Sequence, residues 1–79
     1  MRLTTEVQIR DALLDLIEAK ATLSPSNAAI LTRKIDHCAH ALNAGRLERA
    51  GLDAEDALAT LAGMRVRAVA VARTAGLFA

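Results

Sequence analysis

Residues 53–75, DAEDALATLAGMRVRAVAVARTA, decide how this chain folds. Within and just beyond them, Ala57, Leu61, Met64, Ala68, Val71, Ala75 and Phe78 recur at heptad spacing. Leu58, Ala62, Val69 and Ala72 form a second stripe beside the first, and only Asp56, Thr60, Arg67 and Thr74 make a consistently polar strip. A helix apolar over so much of its circumference is a central helix that wants cover on several sides. Asp53 stands where a cap belongs, Glu55 and Asp56 fall in the first turn where the helix dipole favours negative charge, and Gly76 follows the last periodic residue. The spacing therefore predicts a helix over 53–75, preceded by Gly51 as a break and by one further turn over 46–50.

Two more helices lie upstream. Ser24 is placed to cap and Pro25 sits at the first helical position, where its missing N–H costs nothing. Gly45 offers the left-handed residue that closes a helix over 25–44. Its buried stripe is Ala28, Leu31, Ile35, Cys38, Ala39 and Leu42, with Arg33, Asp36, His37 and His40 outward, the pattern of a peripheral helix. Thr5 and Gln8 have capping-box spacing and open a helix over 5–21. There Gln8, Asp11, Asp15, Glu18 and Thr22 share a polar stripe, while Val7, Ile9, Leu13, Leu14, Leu16 and Ile17 spread over more than half the surface, enough for two neighbours. The expected fold is all-α: a single small three-helix bundle over 1–79, helix three central, completed by dimerisation.

Size supports the last clause. Seventy-nine residues lie near the lower limit for a self-sufficient core, and about a quarter of them are alanine, which buries little area. Phe78 is the only aromatic residue, and the single cysteine, Cys38, excludes an intrachain disulfide. A homodimer through Leu61, Met64, Ala68, Val71 and Phe78 would supply the missing burial. The lack of a cysteine framework agrees with a cytoplasmic location, no apolar run is long enough for a membrane span, and the polar stretch after Arg2 is unlike a signal peptide.

Few residues invite chemistry. Asp36, His37, Cys38 and His40 are metal-ligand types, but Cys38 points away from the histidines and no second cluster completes a tetrahedral site, so no metal is expected. Gly45, Gly51, Gly63 and Gly76 are scattered rather than gathered in a phosphate loop, and no serine or cysteine stands in a nucleophile motif. No catalytic residue and no cofactor are expected. A partner-binding role remains for the acidic stripe Asp11, Asp15 and Glu18, which would steer a basic protein. Arg65, in the apolar arc of helix three, must find a carboxylate, snorkel to the edge, or contact a partner.

Net charge is +1, from ten basic and nine acidic residues, unlike the strong positive excess of a nucleic-acid protein. Arg65 and Arg67 point in nearly opposite directions, and a helix–turn–helix drawn over residues 13–35 offers only Ser26 and Asn27 as base readers. The expected function is non-enzymatic protein binding, as an adaptor, subunit or stoichiometric inhibitor; a small DNA-binding regulator is the alternative.

Overall fold

A computed structural model describes residues 2–74. Three helices fill that span: α1 (Glu6–Lys20), α2 (Pro25–Asn43) and α3 (Leu47–Thr74). No strand occurs among the described residues. Local chemistry fixes four of the six helix ends. The Thr5 hydroxyl accepts the Gln8 N–H at 3.2 Å, and the Gln8 side-chain oxygen accepts the N–H groups of Thr5 at 3.2 Å and Thr4 at 3.0 Å, closing the capping box. After α1 the chain tightens, with N–H groups of Ala21, Thr22 and Leu23 each reaching back three residues. Ser24 then accepts the Asn27 N–H at 3.3 Å and Pro25 opens α2. Gly45, at φ 76°, ends α2: its N–H bonds to the Leu42 carbonyl, and the Arg46 N–H bonds to that of Ala41, the paired bonds of a Schellman turn.

The third helix corrects the sequence reading. It begins at Leu47, six residues before the expected Asp53 cap, and runs through Gly51 without a break. Gly51 is no stop signal because it is buried, and a Cβ there would collide with the carbonyl oxygen of Leu3. Residues 2–4 lie as a strap across α3 at this point. Leu3 is buried, and its N–H donates to the Glu55 carboxylate at 3.3 Å. The acids assigned to the cap and the first turn thus serve elsewhere: Asp53 pairs with Arg49 at 2.9 Å, Glu55 holds the strap, and Asp56 takes the Lys34 ammonium of α2 at 2.6 Å.

The core has two centres. Leu3, Ile9, Ala12, Cys38, Ala41, Ala50 and Ala54 form one; Leu16, Ala19, Leu31, Ile35, Ala57 and Leu61 form the other, with Leu13 and Leu58 packed against both. The order of these contacts makes α1 and α3 parallel and α2 antiparallel to both. Small residues dominate the first centre, so backbones approach closely: the Cys38 thiol donates to the Ala50 carbonyl at 3.3 Å. Each helix packs on both of the others, and the most extensive contact joins α3 to α2, the helix whose pattern had looked peripheral.

The helix lengths do not match. At 1.5 Å per residue α3 is about 42 Å long, whereas α1 and α2 are about 22 and 28 Å. Met64 is its last buried residue, and nearly every position from Arg65 to Thr74 is exposed. About 15 Å of helix therefore projects past the α1–α2 turn.

Candidate functional site

The projection carries the first candidate surface. Val66, Val69 and Val71 are 69, 46 and 68% exposed on it, with Arg65, Arg67 and Arg73 among them. Arg65 and Arg73 flank a shallow groove floored by Val66, Val69 and Ala70. None of the three arginines forms an ion pair with a described residue. Arg65 is exposed, without a carboxylate partner among the described residues, on a stretch of helix that neither α1 nor α2 covers.

The proposed dimer stripe is divided by this geometry. Leu61 and Met64 are buried in the chain's own core, so they are spent within one protomer. Ala68 and Val71 lie exposed on the projection, and Phe78 falls outside the described residues. Core periodicity simply continues past the point where α1 and α2 end.

The second surface is the outer face of α1. Its inward stripe is Ile9, Ala12, Leu16 and Ala19, which meets both other helices. The apolar arc is wider than the bundle covers, leaving Val7, Leu14 and Ile17 at 68, 61 and 48% exposure. Asp11, Asp15 and Glu18 are all exposed, and Asp11 and Glu18 share a helical stripe with Val7 and Leu14 through their i, i+4, i+7, i+11 spacing. Composition hid this ridge: Val7, Leu14 and Ile17 looked like core because two neighbours were expected to close over the whole arc.

The remaining candidates are quieter. His37 and His40 are exposed on α2 while Cys38 is fully buried, and no group of three potential metal ligands gathers among the described residues. Burial, and secondarily the Asp53 carboxylate, push the Cys38 thiol above its ordinary value of 9.0. Its proton is therefore released at lower pH from the unfolded chain than from the folded one, so stability is full below pH 9.0 and declines as pH rises through the folded value. Urea titrations of the wild type and Cys38→Ala at rising pH should show this decline in the wild type alone; parallel curves would refute it. No described helix is long and apolar enough to cross a membrane.

Positive charge is dispersed. Lys34, Arg49 and Arg10 are committed to Asp56, Asp53 and Glu6, and Arg46 lies at the end of the bundle opposite the α3 projection. Comparison with protein-family models, curated proteins and solved structures finds no match.

Proposed function

We propose that this chain is a non-enzymatic protein-binding module of the cytoplasm, an adaptor, subunit or stoichiometric inhibitor of a larger complex, that acts as a homodimer. The observation carrying this reading is the projecting end of α3, where three valines are exposed and no described residue of another helix covers them. Apolar side chains in that setting gain most by burial against another chain, at roughly 25 cal/mol per Å². The outer face of α1 adds a second apolar ridge, bordered by Asp11, Asp15 and Glu18. A border of one sign chiefly raises association rate and fixes orientation. The groove between Arg65 and Arg73 is shallow, open and floored by apolar side chains, which suits contact with another chain.

Capture from a host lysate tests the reading. Asp11→Lys/Asp15→Lys/Glu18→Lys alters only exposed residues and should deplete the captured partner at unchanged helicity. Equal capture by wild type and variant would remove the acidic face from the binding surface. A shift of labelled duplex DNA that weakens steeply with salt would replace protein binding with the regulator reading.

A further inference from the structure

The two surfaces are complementary to each other in spacing and in sign. On α1, Val7, Asp11, Leu14 and Glu18 follow the spacing i, i+4, i+7, i+11; on α3, Ala62, Val66, Val69 and Arg73 follow the same spacing, and all eight are exposed. Asp11 and Glu18 lie about 10 Å apart along their helix, while Arg65 and Arg73 lie about 12 Å apart along theirs. The acids bracket Leu14, and the arginines bracket Val66 and Val69. Within one protomer these faces cannot meet, because α1 runs parallel to α3 and ends before the projection starts.

We propose that the homodimer forms by reciprocal exchange: the α3 projection of each copy lies antiparallel along the outer face of the other copy's α1. In that register Arg65 meets Glu18, Arg73 meets Asp11, Leu14 lies level with Val69, and Val66 lies level with the exposed Ile17. A two-fold axis makes the contact twice. Pairing of the two projections through this face is disfavoured, since the chain carries no acidic residue after Asp56 and Arg65 and Arg73 of each copy would face their like. The acidic face is then occupied by the chain itself, and a basic partner protein must compete with the second copy for it. This inference rests on the protein-binding reading and specifies the surface through which the chain meets itself.

A charge exchange tests it. Asp11→Lys/Glu18→Lys and Arg65→Glu/Arg73→Glu should each weaken self-association by about tenfold or more, read by sedimentation equilibrium at low salt. Each variant repels its own copies, but mixing the two matches both contacts, so the equimolar mixture should return to a dimer. Far-UV circular dichroism must show both variants folded. The wild-type dimer alone gives a measurement free of substitution: between roughly 50 and 500 mM salt its dissociation constant should rise about tenfold. Variants that remain dimeric, or a wild-type dimer indifferent to salt, overturn the exchange while leaving a homodimer through some other face. A wild type that stays monomeric at high concentration overturns the exchange and the homodimer together, and leaves capture by the acidic face to be judged on its own assay.

Discussion

Leu31→Ala should bring this protein to the edge of unfolding. Leu31 is fully buried at the second core centre, among Leu16, Ala19, Ile35, Ala57 and Leu61. Truncating such a leucine removes its transfer free energy and leaves a cavity, together about 2–5 kcal/mol. Collapse around the gap is restricted, because Ala19 and Ala57 bring only methyl groups to it and three helices frame the site. A domain of this size holds about 4–12 kcal/mol in total. The melting temperature followed by circular dichroism should fall by roughly 10–25 °C. A fall of less than a few degrees would mean that Leu31 is not central to the core. Ile30→Ala, a truncation of similar size at an exposed position of α2, should move the melt far less.

Gly51→Ala should destabilise, against the usual expectation for a glycine inside a helix. Helix propensity alone predicts a gain of about 1 kcal/mol. The added methyl, however, would occupy the place of the Leu3 carbonyl, a backbone atom that cannot swing aside as a side chain can. To accept it the strap must lift, losing the burial of Leu3, worth about 1.5–3 kcal/mol, and the bond to Glu55. The net cost should be about 1–2 kcal/mol by urea titration. Gly63→Ala is the control within the same helix: its new methyl would meet only the Arg67 guanidinium, at 3.8 Å, and should raise stability by about 0.5–1 kcal/mol. If both substitutions stabilise, the strap is not held where the structure places it.

Those two glycines also show what the sequence could reveal. Helix ends with a side-chain cap or a left-handed glycine were readable, since Thr5 with Gln8, Ser24 with Pro25, and Gly45 act through residues at most five apart. The start of α3 was not, because the reason for a glycine at 51 is the close-lying backbone of Leu3, far away in sequence. Asp53 and Asp56 looked like capping acids for the same reason; their partners, Arg49 and Lys34, were hidden by the wrong helix boundary and by tertiary distance respectively. The acidic stripe and the apolar surfaces were legible as patterns. Which part of each pattern faces solvent depends on helix lengths: Met64 and Val71 belong to one heptad series, yet only Val71 lies beyond the reach of α1 and α2.

The contact between Leu3 and Glu55 joins residues 52 positions apart. Closing so long a loop is slow relative to the short α1–α2 and α2–α3 connections, so the strap is set to dock after the three helices have assembled. It should also be the first element to release, leaving the bundle otherwise intact. Amide hydrogen exchange would then divide the chain in two, with Leu3 exchanging through a local opening and Leu16 and Leu31 only through global unfolding. The opening residues thus act as a late clasp, and the absent methyl of Gly51 sets how tightly it shuts.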